Sequence, residues 1–270
     1  MTIDWVPHTD QWLTVAGKRL EARVWGPPPD IAPTLVMLHE GLGSVGLWRG
    51  FPEALAALTG CGVFAWSRAG YGRSDPVELP RPLDYMQREG REVLPLVCDA
   101  VGLRRGVLIG HSDGASIAAV NAGAIADLHI RGLVLMAPHL FTEEVGLASI
   151  AGAKNAFETG DLRARLARHH KDVDNAFRGW NDAWLDPAFR AWNIETYIAR
   201  ITVPVLAVQG QNDQYGSLAQ IEALERGLRV PFSRIIPKDC RHSPHLDQPE
   251  RTLEAVANFV AGLGMQEGGN

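Results

Sequence analysis

Cysteine is scarce in this chain: Cys61, Cys98 and Cys240 are an odd number at wide spacing, with no Cys-x-x-Cys pair. A disulfide framework and a cysteine-ligated zinc or redox site are thereby excluded, and the three read as reduced thiols. No apolar run approaches the length of a bilayer span. The segment Met1 to Asp10 carries Asp4, His8 and Asp10 and lacks the apolar centre of a signal peptide. The expectation is a soluble, cytoplasmic protein with no membrane association. An excess of one charge is lacking as well, since 26 Lys and Arg against 31 Asp and Glu leave a net charge of −5 without a basic block. Nucleic acid is therefore not expected as a partner, and a small-molecule substrate is. Internal repeats and low-complexity segments are absent, Gly268-Gly269-Asn270 reads as a frayed end, and a homo-oligomer is left open.

What is present is a regular alternation. Trp12 to Ala16 and Leu20 to Trp25 flank Gly17-Lys18, a hairpin signal. After Gly26-Pro27-Pro28-Pro29-Asp30, the continuous apolar run Thr34 to Leu38 has the character of a strand covered on both faces. Similar runs follow at Gly62 to Trp66, Val107 to Ile109, Leu133 to Met136 and Val205 to Val208, with a weaker one at Ser233 to Ile236. Helical periodicity separates them at Trp48 to Leu58, Tyr85 to Val101, Ala115 to Ala126, Leu218 to Gly227 and Pro249 to Gly262. Strands alternating with helices predict an α/β fold with a mostly parallel, right-handed sheet of about eight strands and helices on both faces.

One interval breaks the pattern. Phe141 to Ile201 has helical spacing, includes Trp180, Trp184 and Trp192, and contains no convincing strand. It reads as an inserted helical lid, with residues 1–140 and 202–270 forming the core domain. Within it Leu162, Leu166, His169 or His170, Val173 and Phe177 have helical spacing on one face and read as a core-facing stripe, while Arg163, Arg165, Arg168 and Lys171 fall mostly elsewhere and read as a solvated basic face rather than an anion site.

The chemistry centres on Gly110-His111-Ser112-Asp113-Gly114, between a strand and a helix. A glycine on each side lets the chain turn sharply and present the serine at the corner, the arrangement of a nucleophile elbow. A serine hydroxyl is a weak nucleophile near neutrality, so it needs a base and a group that orients the base. Asp213 lies in the loop after Val205 to Val208, where such an acid belongs, and His242 follows the weaker run with His245 close behind. Parallel strands bring these loops to one edge of the sheet. The oxyanion of a tetrahedral intermediate needs donors: the Asp113 amide opens a helix, and the glycine-bearing loop His39 to Ser44 can supply another. His8, His129, His139, His169 and His170 show no ligand spacing with carboxylates, so neither a metal nor an organic cofactor is expected.

Over nearly its whole length the chain resembles the α/β-hydrolase superfamily of esterase-like and lipase-like members. The likeness is carried by His39-Glu40-Gly41-Leu42-Gly43-Ser44 with Trp48, Ser67-Arg68-Ala69-Gly70-Tyr71-Gly72-Arg73-Ser74, Gly110 to Gly114, Gln209 to Asp213, and the stretch His242 to Glu250. The resemblance implies an α/β-hydrolase fold and a catalytic triad of Ser112, Asp213 and His242, with Glu143 or Glu144, just after the strand ending at Met136, as the alternative acid because some relatives carry it there. Its His-Gly-x loop implies Gly41 as the second oxyanion donor beside Asp113, with Leu42 the alternative because Glu40 stands where glycine is usual. It favours His242 over His245 as base, although Arg241 replaces the glycine often found before it. His39 is expected to hold its loop by hydrogen bonds.

The function expected is a serine hydrolase that cleaves a small carboxylic ester, lactone or thioester through an acyl-enzyme. Carbon–carbon bond hydrolysis of a ring-cleavage product is the near alternative, and a non-hydrolytic lyase or binding member of the fold the more distant one. Asp113 and Glu40 place two carboxylates beside an oxyanion site. The Asp113 side chain is therefore expected to turn away, toward solvent or a basic neighbour, and Glu40 to have a fixed partner.

Overall fold

A computed structural model describes residues 3–265; the terminal Gly268-Gly269-Asn270 lies outside the described residues. Eight strands form one sheet: β1 (Asp10–Val15), β2 (Lys18–Trp25), β3 (Thr34–Leu38), β4 (Gly62–Trp66), β5 (Gly106–His111), β6 (Ile130–Met136), β7 (Val205–Val208) and β8 (Phe232–Ile235). Their order is β1-β2-β4-β3-β5-β6-β7-β8. The first two strands join antiparallel and β2 meets β4 antiparallel, while every later pairing is parallel. The helices are α1 (Phe51–Thr59), α2 (Tyr85–Arg88), α3 (Leu94–Val101), α4 (Asp113–Ala124), α5 (Glu144–Thr159), α6 (Leu162–Leu166), α7 (Val173–Leu185), α8 (Glu195–Ile198), α9 (Ala219–Gly227), α10 (Pro244–Asp247) and α11 (Pro249–Gly262). Among the described residues no helix is long and apolar enough to cross a membrane.

The sheet is covered on both faces, which is why its central strands read as unbroken apolar runs. Along β3, Val36 and Leu38 enter one core, while Leu35 and Met37 enter the other with Trp48, Phe51 and Val256. Successive side chains point to opposite faces, so four consecutive apolar residues, Leu35 to Leu38, supply both cores. Helix α4 is buried along most of its length. It can pack that closely because its residues are small: a Cβ on Gly114 would stand 2.1 Å from the Leu38 carbonyl oxygen.

The expected helix over Tyr85 to Val101 departs from regularity in its middle, where a π-helical turn at Glu89–Val93 joins α2 to α3. Pro95 explains the change, because it has no N–H to continue the i to i−4 ladder. Between β6 and β7 the regular elements are all helices, from α5 to α8, joined by loops, with an isolated bridge between Phe141 and Asn193. The parallel arrangement brings the carboxyl ends of β3, β5, β6, β7 and β8 to one edge, and the residues that follow those ends build the site.

Candidate active site

Ser112 follows the last residue of β5 and caps α4 with φ 54° and ψ −119°. That conformation is strained for a residue with a side chain, and it persists only because the surroundings enforce it. Both flanking glycines are obligatory here, since a Cβ on Gly110 would lie 2.3 Å from the Gly114 carbonyl oxygen and one on Gly114 would strike Leu38. The elbow read from the sequence is thus present as a backbone fact.

His242 follows β8, and its Nδ1 lies 2.9 Å from both Oδ1 and Oδ2 of Asp213. Asp213 is itself held: Oδ1 accepts from the Tyr215 amide at 2.8 Å and Oδ2 from Gln209 Nε2 at 2.8 Å. Burial pushes its carboxyl up, but the bond and charge of His242 and the Tyr215 amide outweigh this and hold it below the usual range. An ionised Asp213 can only accept, so Nδ1 of His242 carries the proton and Nε2 presents its lone pair. Neither alternative acid reaches this imidazole. Glu143 accepts from Ser217 and Gln220, and Glu144 pairs with Arg190 at the surface. His245 is buried against Trp48 and Phe51, and burial pushes it down to about 3.

The loop after β3 is clamped from behind. The Arg68 amide donates to His39 Nε2 at 3.0 Å, which leaves His39 Nδ1 to donate to the Glu40 carbonyl at 2.7 Å. The fully buried Arg68 guanidinium donates to the carbonyls of His39 at 2.8 Å and Glu40 at 3.1 Å. The Gly72 amide donates to His170 Nδ1, so the opposite nitrogen donates to the Leu42 carbonyl at 3.0 Å. The Gly43 amide closes the turn by donating to the Glu40 carbonyl at 3.1 Å. Among the described residues the amides of Gly41, Leu42 and Asp113 have no acceptor in the chain. Gly41 has no room for a side chain, because a Cβ would lie 2.2 Å from Trp180 Nε1.

The two unpaired-looking carboxylates are both accounted for, one of them not as expected. Asp113 turns neither to solvent nor into a salt bridge but into the interior, where the Tyr85 hydroxyl donates to its Oδ2. Trp184 Nε1 in turn donates to the Tyr85 oxygen at 3.0 Å. Asp113 follows α2, α4 and α7 inward because its Oδ2 has a hydroxyl there. Burial pushes its carboxyl above the ordinary range against the opposing pull of Arg68, Tyr85 and Arg81. Glu40 has the fixed partner expected of it: Oε2 stands 3.4 Å from His111 Nδ1, and His111 Nε2 donates to the His242 carbonyl at 2.7 Å. Burial would raise the Glu40 carboxyl, yet His111 holds it far below the usual range; burial would lower His111, yet Glu40 and the His242 carbonyl raise it. A chain of contacts therefore runs from the first loop to the backbone of the base.

Ser112, His242, Gly41, Leu42 and Asp113 line one cavity of about 190 Å³. Ile150, Trp180 and Trp184, from α5 and α7, form its apolar wall; Glu40, His139, Gln214, Tyr215 and Ser243 complete it, and no Lys or Arg takes part. His139, Tyr85 and Glu40–His111 were not assigned these places from the sequence. The one signal for His139 was its position after the carboxyl end of a strand. A larger cleft of about 610 Å³, lined by Trp12, Arg19, Arg73 and Arg168 among others, contains none of these groups. Among the described residues no three His, Cys, Asp or Glu side chains cluster in a way that could hold a metal ion.

Solved structures share this architecture at low sequence identity. An enol-lactonase from Burkholderia xenovorans LB400 aligns with a TM-score of 0.70 at 18% identity, over 93% of this chain and 99% of its own. An esterase from Rhodococcus sp. ECU1013 aligns with a TM-score of 0.72 at 20% identity, over 98% and 100%. A proline iminopeptidase from Mycobacterium smegmatis aligns with a TM-score of 0.73 at 17% identity, over 94% and 98%. No curated protein matches the chain. The family comparison is decisive: residues 35–255, a span that contains Ser112, Asp213, His242 and the loop after β3, match the alpha/beta hydrolase family, and the chain belongs to it.

Proposed function

We propose that the protein is a serine hydrolase of small carboxylic esters, lactones or thioesters, acting through Ser112, His242 and Asp213. The observation that carries the reading is the pairing of His242 Nδ1 with Asp213 at 2.9 Å in a cavity that also holds the strained Ser112. His242 Nε2 takes the Ser112 proton as Oγ attacks the carbonyl, and Asp213 stabilises the imidazolium that forms. The oxyanion is received by the free amides of Asp113 and of Gly41, with Leu42 adjacent, donors worth roughly 3 to 4 kcal/mol each in such sites. His242 then returns the proton to the leaving alcohol or thiol. A water deprotonated by the same imidazole attacks the acyl-enzyme, releasing the acid and restoring Ser112. Because the Asp113 carboxyl is bonded to Tyr85, its amide serves the oxyanion while its charge is engaged elsewhere.

Residues 141–201 act as a lid in this reading, with Trp180 and Trp184 of α7 covering the cavity. Among the described residues no Lys or Arg lines the cavity, which favours an uncharged ester or lactone over an anionic ring-cleavage product, whose carboxylate would meet Glu40 without a cation. Hydrolysis of an ester or lactone is also in keeping with the esterase and the enol-lactonase among its structural neighbours. The test is covalent labelling by a fluorophosphonate together with turnover of nitrophenyl esters, lactones and thioesters. Ser112→Ala is expected to abolish labelling and to lower kcat/KM by roughly 10⁴-fold or more. Labelling without turnover of any of these substrates would redirect the assignment to carbon–carbon cleavage or lyase chemistry.

A further inference from the structure

His139 has no task in the mechanism above, yet it stands in the cavity wall. It is almost fully buried, with its ring 5.7 Å from that of His242 and 5.0 Å from that of Trp184. Its backbone is fixed by Ser116 Oγ, which donates to the His139 carbonyl at 2.6 Å. Among the described residues neither of its ring nitrogens is hydrogen bonded within the chain. Interior polar groups are almost always paired, so a buried imidazole left without a protein partner is suited to one that arrives from outside. The cavity is the side from which such a partner can come.

The kind of partner follows from charge and donor inventory. Burial and the neighbouring His242 push His139 down to about 3, so at neutral pH it offers one N–H and one lone pair. That combination matches a hydroxyl, which both gives and accepts, or a keto oxygen, which accepts. A carboxylate is a poor match, since Glu40 shares the wall and among the described residues no cation does. The adjoining surface is the indole of Trp184, which suits carbon. A volume of about 190 Å³ restricts the occupant to a short chain or small ring.

We propose that His139 determines specificity by hydrogen bonding a hydroxyl or keto oxygen near the scissile carbonyl, so that the cavity selects short, uncharged, oxygenated acyl groups. The statement deepens the hydrolase reading and rests on it for the identity of the ligand as an acyl group.

Two measurements test it. The first is kcat/KM for the nitrophenyl esters of 3-hydroxybutyrate, butyrate and hemisuccinate, in the natural protein and in His139→Phe and His139→Gln. The natural protein is expected to favour 3-hydroxybutyrate over butyrate by about tenfold or more, with hemisuccinate poorest. The ratio should fall to within about threefold in His139→Phe and recover in part in His139→Gln, which keeps a donor and an acceptor. His139→Leu serves the same comparison if His139→Phe does not fold. The second is thermal stabilisation of the Ser112→Ala protein by 3-hydroxybutyramide against butyramide, which reads selection without hydrolysis. Selective stabilisation without turnover of any ester would overturn the hydrolase reading and leave the His139 assignment standing. A preference near one in both measurements, or one that survives loss of the imidazole, overturns the assignment.

Discussion

Replacing Tyr85 by phenylalanine removes a single oxygen atom next to the nucleophile elbow, and the cost follows from what that oxygen touches. Its hydroxyl donates to Asp113 Oδ2 and accepts from Trp184 Nε1 at 3.0 Å. Asp113 is completely buried and its Oδ1 already lacks a partner, so Tyr85→Phe removes the hydroxyl donor to its Oδ2 and the acceptor that the Trp184 indole bonds at Tyr85. A buried hydrogen bond to a charged acceptor is worth about 1.5–3 kcal/mol and a neutral one about 1, so a loss of about 2–4 kcal/mol is expected. The loss depends on pH in a definite sense. Burial holds the folded Asp113 carboxyl above its unfolded value, so stability falls as pH rises through that window and returns as pH drops. Tyr85 opposes that shift, and removing it widens the window upward. Urea unfolding of both proteins at pH 8 and pH 5 is the assay: the deficit should be larger at pH 8 and shrink at pH 5. A deficit below about 1 kcal/mol, or one that acid leaves unchanged, would refute the role given to the hydroxyl.

Asp213→Asn should leave the fold intact while lowering kcat by about 10⁴-fold, because an amide no longer selects the imidazole tautomer with the proton on Nδ1; retention of more than a tenth of the activity would show that Asp213 is not the orienting group. Glu40→Gln removes the partner of His111, whose folded affinity for its proton is raised above the unfolded value. That contribution is fully present below about pH 6.5 and disappears as pH rises through the folded value, while the ionised Glu40 that supplies it needs pH above its own unfolded value near 4.5. The variant should therefore be least stable relative to the natural protein between about pH 5 and 6.5, by roughly 1–2 kcal/mol, and converge with it at alkaline pH in thermal melts. Equal deficits at pH 6 and pH 9 would contradict the Glu40–His111 pairing.

The elements most legible in the sequence were those whose signal is local. Val205 to Val208 and Pro249 to Gly262 were read with the bounds they have, one as a bounded apolar run and the other as a helix with proline at its first position. The hairpin and the elbow at Ser112 were legible for the same reason, since turn chemistry demands particular residues at particular offsets, although the hairpin turn is Ala16-Gly17, one residue before the expected Gly17-Lys18, and Lys18 already pairs with Val15. The π-helical turn at Glu89–Val93 was less visible because Pro95 could equally have opened a new helix. What stayed hidden depends on partners far apart in the chain. The hydroxyl that meets Asp113 is 28 positions before it, and the indole that meets that hydroxyl is 99 positions from the hydroxyl, so no window contains the reason why the aspartate turns inward. His139 was passed over because it was judged as a metal ligand, by its spacing from carboxylates, rather than by the strand end it follows.

The Arg68 clamp bears on how the site feels its surroundings. Its guanidinium is 1% exposed, has no carboxylate at salt-bridge distance among the described residues, and spends its charge on the carbonyls of His39 and Glu40. An ion this deep is poorly screened by mobile counterions. The positive potential behind the loop of Gly41 is thus a fixed property of the backbone, indifferent to ionic strength and to the state of any surface residue. A lysine could carry the charge but not reach both carbonyls in one plane, so the shape of the cation is as much a part of the loop as its glycines.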